Sequence, residues 1–210
     1  MTPEEKEVRR RKHGGTDCPF WVDKRVRAHL PVSPGLRDYV SAYCQTFREN
    51  LRKALALYRG LDFAEAVASA GLLQCPVCGS LYPHQSHIRL ETRQEFSAAL
   101  LTVRDKLACA VLFEDLWAVI RPIGEKTRGI ARLTAYETAL RIGFHLGSPP
   151  KDYVYGFNGA SIAEGRHGQR VFSLNAFRPE LASDLTAYEI EDFLCVFHKE
   201  RRLGYFTVLK

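Results

Sequence analysis

The chain has 210 residues, of which 46% are hydrophobic and 26% are charged, and its formal net charge is +6. This composition can build a buried core and is neither low-complexity nor wholly disordered. No apolar run reaches the ~18 residues of a membrane-spanning helix, and the charged N-terminus lacks the apolar stretch of a secretory signal. We therefore expect a cytoplasmic protein without a membrane segment, whose six cysteines are thiols or metal ligands rather than disulfides.

The charge is unevenly distributed along the chain. Residues 1–60 and 121–175 are basic, whereas the segment 61–120 between them is acidic. This pattern fits a surface that faces a polyanion, and it fits an ordinary solvated surface equally well. Residues 1–16 lack apolar periodicity and include a run of basic residues, so they are predicted to be a flexible basic arm. Residues 17–210 are predicted to form a single helical domain.

Helix signals recur from residue 36 onwards and predict a mainly α fold. Apolar residues spaced three and four apart predict one long helix from Leu36 to Tyr58, with Ser33 as its N-cap and Gly60 as its end. Further helices are predicted at 63–70 and at 114–120, the second ending before Pro122 and Gly124. Three more are predicted to begin at capping boxes. These boxes are Thr92–Glu95, Thr134–Glu137, whose helix runs to Leu146, and Thr186–Glu189, whose helix runs to His198. The strand signals are few, at 153–155 and at the C-terminal edge segment 205–209.

A cysteine and histidine cluster lies in the loop region 72–91. Cys75, Cys78, His84 and His87 have the spacing C-x2-C-x5-H-x2-H. Two cysteines two residues apart, followed by glycine, can direct both sulfurs to one point, and tetrahedral zinc takes four such N/S ligands. The spacing is similar to that of zinc knuckles and predicts a knuckle-like structural Zn²⁺ site, in which Cys44 or another residue could replace one ligand. The alternative is a loop with plain thiols and surface histidines.

The most informative segment runs from Arg128 to Ile142, where a glycine turn leads directly into a predicted helix. Free backbone N–H groups at a helix N-terminus, together with the positive end of the helix dipole, form an anion site. Lys126, Arg128 and Arg132 place cations around this turn, and Arg141 is expected nearer the solvent than the core. Such an arrangement suits a chain of phosphates.

This segment resembles the helix-hairpin-helix motif, whose hairpin reads roughly hydrophobic-Gly-hydrophobic-Gly before a helix with Thr-Ala near its start. Gly129, Ile130 and Thr134-Ala135 match the motif, Ala131 replaces its second glycine, and the resemblance extends from Leu112 to Leu146. It implies a hairpin that grips nucleic-acid backbone without reading sequence, often with a bound monovalent cation. The predicted contact residues are Lys126, Arg128, Gly129, Ile130, Ala131, Arg132, Thr134 and Arg141.

The stretch 129–143 is also similar to a bacterial family of unknown activity that carries Gly-Ile-Gly-x-Leu-Thr-x-Tyr-Asp-Thr-Ala-Leu-Arg-Ile-Gly. Tyr136 and Arg141 match that pattern, whereas the family's following Val-Tyr-Leu-His-Ala-Gly segment is altered at 154–159 and lacks the histidine. This resemblance implies no activity.

Three functions remain open from the sequence. The first is binding of nucleic-acid backbone through the hairpin, with a structural zinc site. The second is a protein-interaction scaffold stabilised by zinc. The third is a nucleic-acid hydrolase or base-excision enzyme, because DNA glycosylases built around this hairpin place a catalytic aspartate shortly after it. Asp152 lies at a suitable distance for that role, although an aspartate after Pro149-Pro150 is also typical of a turn.

Overall fold

The computed structural model describes residues 30–31, 33–82, 85–157, 171–197 and 204–205. In this part of the chain the protein is mainly helical, with one two-stranded antiparallel sheet, which confirms the predicted fold class. None of the helices described is long and apolar enough to cross a membrane. The predicted arm, residues 1–16, and the segment 206–209 of the predicted edge strand lie outside the described residues.

The elements are numbered along the chain. In order they are α1 (Leu36–Thr46), α2 (Arg48–Ala56), a 3-10 turn (Leu57–Gly60), α3 (Phe63–Gly71), α4 (Leu90–Thr102), α5 (Arg104–Ala108), α6 (Phe113–Lys126), α7 (Arg132–Leu146), β1 (Tyr153–Tyr155), β2 (Val171–Ser173), a second 3-10 turn (Leu174–Ala176), α8 (Pro179–Ala182) and α9 (Ala187–Val196).

The chain divides into two compact units. Of the described residues, 50–82 and 85–149 belong to the first unit, and 30–31, 33–49, 150–157, 171–197 and 204–205 belong to the second. The boundary between the units falls within α2. The second unit is therefore built from two segments that are separated in sequence by the whole described part of the first.

The first unit packs α3 against α4 and α7, and α6 against α7. Its largest buried side chains are aromatic and leucine residues from these helices and their connections, Tyr58, Leu73, Phe96, Leu100, Leu107, Phe113 and Tyr136. Close helix packing depends on small residues: a Cβ on Gly71 would lie 2.6 Å from the Cα of Ser97. Burial of this apolar surface is the main stabilising contribution to the unit.

In the second unit, α9 packs against β1, and α8 packs against α1 and α9. Val154 of β1 pairs with Phe172 of β2 in antiparallel register, and both side chains are buried. Its hydrophobic core consists of residues from every element of the unit, including Tyr39, Tyr43, Phe177, Leu181, Ile190 and Phe193. The predicted strand at 153–155 is confirmed.

Several predicted helix boundaries are confirmed and others are wrong. Asp62 caps α3 by accepting the amide hydrogen of Glu65, and the predicted Thr186–Glu189 box opens α9. The long predicted helix is interrupted at Phe47 and begins after Gly35, whose amide donates to Asp38, so Ser33 is not its N-cap. The helix predicted from Thr92 begins at Leu90 instead.

Candidate nucleic-acid interface and cysteine hairpin

The predicted hairpin is formed by α6, a connection over residues 127–131, and α7. The connection is compact, because the Thr127 hydroxyl donates to the carbonyl of Ile123 at 2.9 Å and the Ile130 amide donates to the carbonyl of Thr127 at 3.1 Å. Gly129 has φ +98°, a left-handed conformation that L side chains rarely adopt. The turn therefore requires a glycine at position 129.

The incoming helix does not end near Arg121, as the sequence predicted, but continues through Pro122 to Lys126. Proline removes one amide hydrogen from the helix ladder. The residue four positions earlier, Ala118, is exposed, so water can bond its carbonyl. Continuing the helix brings Gly124 against α7, where an added Cβ would lie 2.8 Å from the Cβ of Ala135. The connection between the two helices of the hairpin is therefore only residues 127–131.

The second helix of the hairpin begins at Arg132 and has Ala131 as its N-cap. The predicted capping box is wrong: Thr134 lies within the first turn and is 5% exposed, and Glu137 bonds other residues. No side chain caps this helix, and its first internal bond runs from the Ala135 amide to the Ala131 carbonyl. The amides of residues 132–134 therefore precede the helical ladder, as helix N-terminal amides do.

Five of the predicted contact residues lie on the exposed part of the hairpin. Lys126, Arg128, Gly129 and Ala131 are all exposed. Arg132 has a side chain 39% exposed, with its guanidinium 3.9 Å from the carboxylate of Glu125, which is itself 54% exposed. An exposed pair at this distance contributes little and leaves the guanidinium able to exchange partners. Ile130, in contrast, is 8% exposed and packs beside Gly124.

Arg141 is not on the solvent side, which corrects the prediction. The residue is 7% exposed, and its guanidinium carbon lies 3.6 Å from the centre of the Tyr82 ring. Its Nη2 is 3.3 Å from a carboxylate oxygen of Glu137. Burial alone lowers the pKa of Arg141, but interaction with Tyr82 and Glu137 outweighs that effect and raises the net pKa above its ordinary value. The guanidinium is therefore a buried cation rather than one at the solvent-exposed surface.

Around Arg141 lies a buried polar cluster, defined here as Tyr58, Tyr82, Gln85, Glu137 and Arg141. The Gln85 amide donates to the same carboxylate oxygen of Glu137 that receives Arg141. The hydroxyls of Tyr58 and Tyr82 share a hydrogen bond, and Tyr58 lies 3.2 Å from the carbonyl of Gln74. The sequence did not predict this cluster. The spacing of Glu137 and Arg141, four residues apart on a helix, was the one signal for part of it.

The cysteines lie on a small hairpin. Gln74 and Leu81 form an isolated antiparallel bridge, the Cys75 amide donates to Ser80, and the Gly79 amide donates to the Cys75 carbonyl. Gly79 is left-handed, with φ +68°. Cys75 is buried, Cys78 is half-buried and His87 is exposed, whereas His84 lies outside the described residues. Among the residues that are described, no group of three or more His, Cys, Asp or Glu side chains is arranged to hold a metal ion.

Asp152 belongs to the second unit and is exposed. Its backbone carbonyl accepts a hydrogen bond from the Leu174 amide at 2.9 Å, at the entry to β1. Asp152 directly precedes β1, and its role as a catalytic residue stays a prediction.

The second unit also carries an open groove of about 670 Å³. Its walls combine cations with carboxylates, Arg37 and Arg48 with Glu180 and Asp184. Arg48 is already engaged, 3.0 Å from Glu189, which is fully buried. A groove with both signs of charge is a poorer match for a polyanion than the hairpin.

No protein-family model, curated protein or solved structure matches this chain.

Proposed function

We propose that the α6–α7 hairpin binds the phosphate backbone of nucleic acid. The observation that carries this proposal is an uncapped N-terminus of a fifteen-residue helix, next to a left-handed glycine and three cationic side chains. Uncapped amides and the positive end of the helix dipole favour an anion, and lysine and arginine add charge and hydrogen-bond donors. Glu125 pairs with Arg132 at 3.9 Å, a long distance for an ion pair.

The contact residues in this proposal are fewer than the sequence suggested. Lys126, Arg128 and Arg132 supply the charge, while Gly129 and Ala131 leave the turn without bulky side chains. Ile130 and Thr134 contribute by packing, because both are buried, and Arg141 supports α7 from inside. Contacts of this kind recognise phosphate and sugar rather than base edges. Binding is therefore expected to be weakly sequence-selective and strongly dependent on salt.

The test is fluorescence anisotropy with labelled duplex DNA, single-stranded DNA and RNA, over a series of salt concentrations. The variant is Arg128→Gln/Arg132→Gln, and its matched control is Arg104→Gln/Lys106→Gln, which removes two exposed cations from α5 of the same unit. We expect the hairpin variant to weaken binding and to reduce the duplex salt slope by about 1.8, that is about 0.9 for each lost phosphate contact. The control should retain both affinity and slope.

Two outcomes contradict the proposal. If both variants weaken binding equally, the hairpin is not the contact surface. If the protein binds none of the three probes at low salt, the interaction-scaffold alternative replaces it. The hydrolase alternative has its own assay: cleavage of damaged-base DNA that is lost in Asp152→Asn.

We also propose that Cys75 and Cys78 bind a structural Zn²⁺ together with His84 and His87. Support comes from the chemistry of the ligands and the tight hairpin, which carries both thiols on one turn before a left-handed glycine. Zinc stoichiometry should fall in Cys75→Ser/Cys78→Ser. Cys109→Ser, which removes an exposed thiol from the same unit, is the control and should bind zinc normally. Equal zinc content in both variants would contradict the site.

A further inference from the structure

We propose that the open groove of the second unit binds a short, extended polypeptide segment that carries both acidic and basic side chains. The groove is lined by one face of α1 and by the α8 segment that faces it. The inference goes beyond the proposed function, because the groove belongs to the other unit of the chain and takes a different class of ligand.

One wall of the groove is a continuous stripe of side chains along α1. The stripe consists of residues at spacings of four, three and four, namely Arg37, Ser41, Cys44 and Arg48, and such spacings place side chains on one face of a helix. It continues past the end of α1 because Phe47 keeps a right-handed helical conformation. Between Arg37 and Arg48 the helix axis advances about 16 Å. An extended chain advances about 3.3 Å per residue, so about five residues of a polypeptide span the groove.

The walls are held in place by the core of the unit. Val40 lines the groove from α1 and Leu181 lies on α8, and both belong to the same buried cluster. At one end the Arg48 guanidinium is fixed, with Nε 3.0 Å from the Glu189 carboxylate and Nη1 3.5 Å from the Cys44 sulfur. Its Nη2 has no hydrogen-bond partner in the described part of the chain. A preformed wall with a fixed guanidinium loses little conformational entropy when a ligand binds.

The groove presents one cation and one anion that other side chains do not neutralise. Arg37 is exposed and forms no hydrogen bond or ion pair with another described residue. On the facing wall, Glu180 is already paired with Arg178 at 2.7 Å. Asp184 is exposed, and the group that contacts its carboxylate is the Ser183 hydroxyl at 3.4 Å. Arg37 can therefore bind a carboxylate of the ligand, and Asp184 can bind an ammonium or guanidinium group.

This combination of charges favours a polypeptide over nucleic acid. A strand of nucleic acid would bring its phosphates against the carboxylates of Glu180 and Asp184, and like charges brought together disfavour a partner. A polypeptide can carry side chains of both signs. Its backbone also offers donors and acceptors to the hydroxyls of Ser41 and Ser183, which line opposite sides of the groove.

A random heptapeptide library displayed on phage, selected against the full-length protein, supplies the probe. Enriched peptides should contain at least one acidic and one basic residue. The affinity of synthetic copies, measured by fluorescence anisotropy, should fall about tenfold or more in Arg37→Gln and in Asp184→Asn, as expected for a lost hydrogen bond to a charged group. Both positions are exposed, so the fold should tolerate the changes. The controls Arg104→Gln and Asp105→Asn, at an exposed ion pair of α5, should bind the peptides normally.

Cys44 reports where the peptide binds. Its half-buried thiol lines the groove, so a bound peptide should slow its alkylation by iodoacetamide, followed by mass spectrometry. Cys109 is exposed in the first unit and serves as the internal control, whose alkylation rate should not change. The same peptide at the same concentration should not slow the alkylation of Cys44 in Arg37→Gln/Asp184→Asn.

Any of three results overturns the inference. These are a selection that enriches no peptide, peptides whose affinity is equal in the groove variants and the controls, and peptide binding that leaves the alkylation of Cys44 unchanged. Weaker binding of DNA or RNA in Arg37→Gln would assign the groove to the nucleic-acid surface and would overturn it as well. The proposed function is judged separately, because Arg128→Gln/Arg132→Gln should leave peptide binding unchanged. Peptide binding in a protein that binds no nucleic acid supports this inference and contradicts the proposed function.

Discussion

Replacing Gly124 by alanine tests the close approach of α6 and α7, on which the hairpin depends. The new Cβ would lie 2.8 Å from the Cβ of Ala135 and 3.3 Å from a methyl carbon of Ile130. The first contact is to a Cβ, an atom fixed to the backbone, so the two helices must move apart. This overpacking should cost about 3 kcal/mol of stability, the upper end of the usual range. Alanine regains about 1 kcal/mol of helix propensity. The free energy of unfolding should therefore fall by about 2 kcal/mol.

Urea denaturation followed by tryptophan fluorescence measures this change. Trp117 is on α6, with its ring 6.3 Å from that of Tyr136 on α7, so its emission reports the helix pair when Trp21 is replaced by phenylalanine in all variants. Gly60→Ala is the control, because its Cβ would meet no atom within 4 Å, and it should leave the unfolding free energy within about 1 kcal/mol of the parent. A Gly124→Ala protein that is more stable than the parent would refute the packing argument, since helix propensity would then dominate.

Three further predictions concern the turn and the second unit. Gly129→Ala should lower the unfolding free energy by about 1–2 kcal/mol, because alanine is strained at the φ of +98° found there. Thermal denaturation measures this loss, and an unchanged melting temperature would contradict it. Burial and Asp192 raise the pKa of Tyr43 above its ordinary value of 10.0, so the folded state favours the protonated phenol. Its contribution is complete below pH 10 and lost as the pH rises further, and Tyr43→Phe should flatten the decline in stability measured above pH 10. Glu189→Gln should destabilise the second unit by about 1–3 kcal/mol because it removes the buried charged partner of Arg48. Glu191→Gln, its control at a half-buried position, should cost less. Urea denaturation followed by far-ultraviolet circular dichroism measures both changes.

The sequence predicted the helices whose ends carry local signals. Asp62 and Glu65 define the start of α3 through side-chain bonds to nearby amides, and Thr186 and Glu189 do the same for α9. These interactions involve residues three apart, so the sequence contains the whole of the information. The β-branched and aromatic residues that predict β1 are equally local.

The hairpin was predicted less well because distant contacts decide its helix ends. Pro122 is a helix breaker by local rules, yet α6 continues past it to Lys126. In this continued turn Gly124 packs on Ala135 of α7, a contact that the local sequence does not contain. Thr134 and Glu137 have capping-box spacing, but α7 begins earlier and Glu137 bonds Gln85 and Arg141. The burial of Arg141 depends on Tyr82, more than fifty residues earlier in the chain. No pattern within a short window contains that contact.

The position of the boundary within α2 determines the order in which the polypeptide can acquire structure during synthesis. The described residues of the first unit, 50–82 and 85–149, all lie between the two sequence segments of the second unit, which needs residues up to 49 together with residues from 150 onwards. The N-terminal portion leaves the ribosome first. The hydrophobic face of α1 therefore remains unpacked by the C-terminal segment of its unit while about a hundred intervening residues are synthesised. The helix α1 therefore has none of its native partners from β1, α8 and α9 until the C-terminal segment has been made.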